Sequence, residues 1–153
     1  MNIETLDAET AEAQALLAAS DEYMAALYPP DSNHLENSTA LKLPGVLFLG
    51  AYDQGRLVGC GAVKIKGDDG VYGEIKRVFV IQSHRGKGVS KRIMQCLEEH
   101  LEVEGVSRCR LETGIRQPEA LGLYGKLGYL ERGPFGSYAP DPLSVFMEKR
   151  LAI

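Results

Sequence analysis

The sequence predicts an α/β domain: a mixed central β-sheet flanked by helices, in which an antiparallel meander leads into a βαβ unit. Three observations carry that prediction. Three β-rich runs, residues 46–52, 56–66 and 71–81, are separated only by the turns Asp53-Gln54-Gly55 and Gly67-Asp68-Asp69-Gly70. Turns that short join antiparallel neighbours. Val89, Ile93, Leu97 and Leu101 then recur at a strict four-residue spacing, the apolar stripe of a helix. The next run, RCRLET at 108–113, is a strand reached through that helix. It must therefore lie parallel to the strand before it.

The remaining elements follow in order. Residues 1–6 form a short first strand. Asp7 is placed to N-cap a helix ending near Leu27, whose Ala13, Leu16, Leu17, Ser20, Met24 and Leu27 share one face. Tyr28-Pro29-Pro30-Asp31 stops it. Residues 32–43 fit a short helix or a loop equally well. The striped helix runs over about 88–104 and ends at Gly105. A later helix, 118–127, begins with Pro118 in its first turn and ends at Gly128. Residues 129–132 and 143–150 are closing strands around a Gly- and Pro-rich loop, 133–142.

Length and composition bound the rest. A chain of 153 residues is one domain, 1–153, able to bury one sizeable core. Hydrophobic content of 44% and charged content of 25% are ordinary for a globular chain. No apolar run approaches the roughly 18 residues of a membrane span. The opening MNIETLDAET has neither a basic nor an apolar leader region, so no secretory signal is expected. A pI near 5.4 argues against nonspecific nucleic-acid binding. Cys60, Cys96 and Cys109 are odd in number and fit no metal spacing. They are expected to be reduced, mostly buried thiols of a cytoplasmic protein that holds no metal.

One stretch stands apart, EIKRVFVIQSHRGKGVSKR at 74–92. A strand feeds a glycine-punctuated turn and then a helix, which aims free backbone N–H groups at one point. Between Glu74 and Glu98 there are six cations and no acid, although the whole chain carries −4. Lys91 and Arg92 sit near the helix start and Glu98, Glu99, Glu102 and Glu104 near its end, against the helix dipole. An anion bound at the helix start explains this arrangement. A solvated turn with incidental charges is the other reading. The dinucleotide fingerprint is absent, because Lys91 stands where its third glycine would be, and so is the ATP-type loop.

Arg85-Gly86-Lys87-Gly88-Val89-Ser90 resembles the R/Q-x-x-G-x-G/A pyrophosphate loop of the GNAT N-acetyltransferases, with Ser90 in the place of Gly or Ala. A second resemblance begins about 30 residues on. The family often carries Asn-x-x-Ala-x-x-Leu-Tyr-x-x-x-Gly-Phe/Tyr in its late helix. Here Ala120, Leu123, Tyr124, Gly128 and Tyr129 match, and Gln117 replaces Asn. The predicted order of elements is also the family's, so the resemblance covers nearly the whole chain.

The resemblance implies the acetyltransferase (GNAT) fold and an acetyl-CoA-dependent N-acetyltransferase working by direct attack in a ternary complex. Acetyl-CoA would lie with its pyrophosphate on Arg85, Gly86, Lys87, Gly88, Val89 and Ser90. Its pantetheine would follow Val78, Phe79 and Val80 where the strands splay, and Gln117 would offer an amide. A backbone N–H near Val80 would act as oxyanion donor and Tyr124 as general acid, against the alternative of a core tyrosine tied to backbone. Glu74 or Glu112 would be the base, Glu74 the favoured one, or each a mere strand-end carboxylate. Deprotonating an α-amine at pH 7 costs about 1 kcal/mol and a lysine roughly 4.6 kcal/mol, so a weakly basic acceptor needs little help.

Tyr28, Asp31, His34 and Tyr138 are the candidate acceptor contacts, with a surface role or local cap as the alternative for His34. The expected partner is a small-molecule amine or amino acid, cationic by preference. A non-catalytic CoA-sensing module, a protein N-terminal or lysine acetyltransferase, and a phosphate-binding domain of another class stay open. Dimerisation is common in the family, and no sequence feature here decides it; the strand at 143–150 is a candidate exposed edge.

Overall fold

The computed structural model describes residues 1–153. Seven strands form one sheet: β1 (Asn2–Thr5), β2 (Val46–Asp53), β3 (Arg56–Lys66), β4 (Tyr72–Val80), β5 (Arg108–Gly114), β6 (Leu130–Arg132) and β7 (Ser144–Arg150). Their spatial order is β1-β2-β3-β4-β5-β7-β6. All neighbours are antiparallel except β4 and β5, which are parallel. That pair is bridged by helix α2 (Val89–Val103), as the sequence requires. Helix α1 (Ala11–Leu27) and helix α3 (Pro118–Lys126) complete the fold.

Helices cover both faces of the sheet, so its middle strand is apolar throughout: residues 57–63 of β3 are all buried. Leu57, Cys60 and Ala62 join Leu16, Leu17 and Phe48 on the α1 face. Val58 and Val63 join the α2 stripe on the other. Val89, Ile93, Leu97 and Leu101 are all essentially inaccessible. Each such side chain contributes about 1.5–3 kcal/mol by leaving water. The helix can sit this close because glycines lie beneath it. A Cβ on Gly61 would come 2.6 Å from Ile93 Cγ2, and one on Gly59 3.2 Å from Val89 Cγ1. A buried polar group also locks α2 to Tyr129 and to β7. Glu98 accepts from the Tyr129 hydroxyl at 2.8 Å and from Lys149 Nζ at 2.7 Å.

Two local expectations change and one open choice is decided. Thr10, not Asp7, caps α1: its Oγ1 accepts from the Ala13 N–H at 3.2 Å. Asp7 instead accepts from the Glu9 N–H, closing a turn ahead of the helix. Residues 32–43 are largely loop, with 3₁₀ turns at Pro30–Ser32 and Ala40–Lys42. The strand at 143–150 is not an exposed edge. β7 lies between β5 and β6, and Leu130, Glu131 and Arg132 pair along its outer side.

The close seating of α2 makes a testable demand on β3. Gly61→Ala is expected to destabilise the protein by about 1–3 kcal/mol in urea unfolding, because the new methyl overpacks a site already filled by Ile93.

Candidate active site

β4 and β5 pair only from Gly73 to Ile75; beyond that, β4 runs on to Val80 without a partner on that side. The cause lies at Arg77, which adopts φ 60° although it is not glycine. Left-handed backbone disfavours such a residue by roughly 1–2 kcal/mol. Neighbouring contacts hold it there. Its Nε donates to Glu36 O at 2.8 Å, and its Nη1 to Asp21 Oδ1 at 2.6 Å and Ser20 Oγ at 3.4 Å. Cys60 Sγ donates to its carbonyl at 3.2 Å. The register against β3 shifts here, and the bulge turns the end of β4 away from β5. The Ile81 N–H returns to Val58 O at 2.9 Å, so backbone alternation turns the Val80 N–H toward the gap.

The gap opens into a cleft of about 1250 Å³, its open mouth included. Val78, Phe79, Val80, Arg85, Gly86, Gly88, Val89 and Ser90 line one wall, and Gln117, Leu123 and Tyr124 the other. Gly88 has φ +81° at the head of α2, with no side chain capping the helix. The first-turn N–H groups of Val89, Ser90 and Lys91 have no acceptor within the protein. Free N–H groups, a glycine in left-handed backbone and unpaired β4 backbone together fit a phosphate-bearing, extended ligand such as coenzyme A. The Arg85 side chain folds back rather than reaching outward. Its Nε donates to Val80 O at 2.9 Å, and its guanidinium lies 4.9 Å from the Tyr23 ring centre. Lys87 is exposed and its side chain is not part of the lining. Sequence reasoning passed over His84, which lines the cleft and is held by Asp53 Oδ2 at 2.9 Å.

A second cavity, about 850 Å³ with its open mouth, adjoins the first. Tyr23, Val78, Phe79, Gln117 and Tyr124 line both. Tyr124 is 8% exposed and its hydroxyl has no hydrogen-bond partner in the protein. Burial, helped by the Cys109 thiol, pushes its pKa up to about 12. Tyr28 donates to Gln117 Oε1 at 3.1 Å and accepts the Arg116 N–H at 3.2 Å. Burial raises its pKa too. This contact orients Gln117 with its amide NH₂ free for the cleft.

The carboxylates of the second cavity are tightly engaged. Glu74 is 2% exposed. It accepts from the Tyr138 hydroxyl at 2.5 Å, Lys76 Nζ at 3.3 Å and Lys66 Nζ at 3.5 Å. Burial and the Glu74 charge drive the Tyr138 pKa well upward, so the phenol stays a donor. Glu112 accepts from Ser144 Oγ and lies 2.8 Å from His34 Nδ1. Asp31 is exposed and lies outside this lining. The 3₁₀ turn after Pro29 brings in Ser32 instead, whose Oγ donates to Asp141 at 2.6 Å. Lys76 was missed, although it stands two residues after Glu74 and so shares its strand face. Ser144 carried no sequence signal.

Comparison with known proteins places this geometry. Residues 13–129 match the Acetyltransferase (GNAT) family. A protein of Azospirillum brasilense named IAA acetyltransferase is 45% identical over 136 residues, 89% of this chain and 88% of its own length. A crystal structure of a putative acyl-CoA N-acyltransferase from Klebsiella pneumoniae is 37% identical, with TM-score 0.83, covering 99% of this chain and 97% of that one. The PaiA N-acetyltransferase of Thermoplasma acidophilum, solved with coenzyme A, shares the fold at 19% identity and TM-score 0.74, covering 98% and 99%. With its split β4–β5 pair, its bare α2 N-terminus and these matches, the chain belongs to the GNAT acetyltransferase family.

Proposed function

We propose that this protein transfers the acetyl group of acetyl-CoA to the amine of a small molecule, by direct attack while both are bound. The observation that carries this reading is the junction at Tyr124. Tyr124, whose hydroxyl is unpartnered, lines both the cofactor cleft and the second cavity. Direct transfer needs the two reactants side by side at one proton donor.

Acetyl-CoA supplies an acyl group activated as a thioester. The N–H groups of Val89, Ser90 and Lys91 hold its pyrophosphate, with Gly88 leaving the backbone open to it. The Val80 N–H faces the gap and receives the negative charge that develops on the carbonyl oxygen. Tyr124 protonates the departing sulfur. Its raised pKa keeps that proton in place through neutral pH. A covalent acetyl-cysteine route has little support. Burial lifts Cys60 and Cys109 to about 12, and neither lines a cavity.

The second cavity favours an amine. Glu36, Glu74 and Glu112 line it against Lys76 and Arg77, a wall left net acidic that suits an ammonium group. It also favours a small molecule over a polypeptide. The loop at 133–142 closes its outer side through Tyr138 on Glu74 and Asp141 on Ser32. A CoA-sensing module has no use for a bare, buried phenol at the junction.

Tyr124→Phe is expected to lower kcat about 100-fold with little change in the KM for acetyl-CoA, in steady-state kinetics with a panel of small primary amines. The wild-type enzyme should lose no activity to Tyr124 ionisation below about pH 10, because the pKa is raised and activity fails only above it. An unchanged kcat would remove Tyr124 from the chemistry. Gly88→Glu is expected to weaken coenzyme A binding at least about tenfold by calorimetry. It puts a strained side chain and a negative charge where the phosphate sits.

A further inference from the structure

We infer that His34 is the general base that takes the acceptor amine's proton, and that Glu112 is a positioning residue acting through it. The inference rests on the acetyl-transfer reading above. His34 Nδ1 lies 3.0 Å from Glu112 Oε1 and 2.8 Å from Oε2. An ionised carboxylate only accepts hydrogen bonds, so Nδ1 carries the hydrogen and Nε2 carries the lone pair of the neutral ring. Nε2 has no partner in the protein. Glu112 is itself fixed, 12% exposed and accepting from Ser144 Oγ at 2.8 Å. The Tyr138 ring meets the imidazole edge-on at 5.4 Å and sets its plane. Three separate parts of the chain thus hold one imidazole at the wall of the cavity that Tyr124 also lines.

The carboxylates are less free to act. Both Glu112 oxygens already face His34, and one also takes Ser144. The Glu74 oxygens lie under Lys66, Lys76 and the Tyr138 hydroxyl, so an amine or water must displace one of them. His34 is 36% exposed, which gives its proton a way out to water. The step balances. The amine nitrogen bonds to the acetyl carbon, and the carbon–sulfur bond breaks. The surplus proton on nitrogen goes to His34 Nε2, and the Tyr124 proton goes to sulfur. His34 then releases its proton to water, and Tyr124 recovers one from water.

The charged and titratable groups facing His34 are Glu112 from β5 and Asp141 and the neutral Tyr138 phenol from the closing loop, with Glu36, Glu74 and Lys76 on the same cavity. A histidine base must be neutral to take a proton, so any acid limb in kcat should depend on His34. Loss of the Glu112 carboxylate takes away the acceptor at Nδ1, so the tautomer with its lone pair on Nε2 is no longer fixed.

The test is kcat against pH for wild type, His34→Gln and Glu112→Gln, at saturating acetyl-CoA and with the best amine of the panel. His34→Gln should lower kcat about 100-fold or more and abolish the limb, with coenzyme A binding unchanged by calorimetry. Glu112→Gln should lower kcat about tenfold with the KM for the amine and coenzyme A binding unchanged, a split that a merely structural role would not produce. An active wild type with His34→Gln within about twofold of it would overturn the base assignment and leave acetyl transfer standing. So would an acid limb that persists in His34→Gln, or one that disappears only in Glu74→Gln. A wild type that shows no amine-dependent thiol release would instead overturn the acetyl-transfer reading, and the base with it.

Discussion

The site depends on β4 parting from β5 after Ile75. A continuous parallel pair would consume the backbone groups of β4 and leave no gap between strands and no junction at Tyr124. The parting is enforced by one residue, Arg77, held in a conformation its side chain disfavours. The contacts that hold it come from α1 through Ser20 and Asp21, from the loop after α1 through the Glu36 carbonyl, and from β3 through Cys60. The same guanidinium that stabilises the bulge therefore pins the loop carrying His34. Opening of the cofactor cleft and construction of the second cavity are one structural event.

A second constraint acts from the far end of the chain. Tyr138 donates to Glu74 and accepts from Lys76 at 2.8 Å, while Phe135, Phe146 and Tyr72 form a small aromatic cluster beneath it. Lys76 is shared with Glu36 at 3.4 Å. Charges on the cavity wall are thus largely compensated within the protein. Their value lies in fixing side chains, since partly buried pairs trade desolvation against attraction and add little net stability.

Much of this was legible in the sequence because it is local. The four-residue stripe of α2, the glycine punctuation at Gly86 and Gly88 and the proline start of α3 each encode structure within a few residues. The placement of Tyr124 followed from a motif of the same short range. What was not legible is long-range or runs against local preference. No glycine marks the bulge at Arg77, so nothing in the run VFV announces where pairing ends. His34 and Glu112 are 78 residues apart, and only the folded sheet brings them together. Asp31 and Ser32 are neighbours in a polar loop, and the 3₁₀ turn alone decides which one faces inward. At the start of α1, Asp7 and Thr10 are both good caps, and the choice went to the one three residues before Ala13. The edge strand β6 is only three residues long, too short a signal to show that it covers β7.

The central claim is that this chain passes an acetyl group from acetyl-CoA to an amine held beside Tyr124. The most direct measurement is thiol release from acetyl-CoA across a panel of small primary amines, with the product mass taken for each. Amine-dependent release, matched by an acceptor heavier by one acetyl group, is the predicted result. Release that no amine accelerates, with no acetylated acceptor formed, would contradict the account.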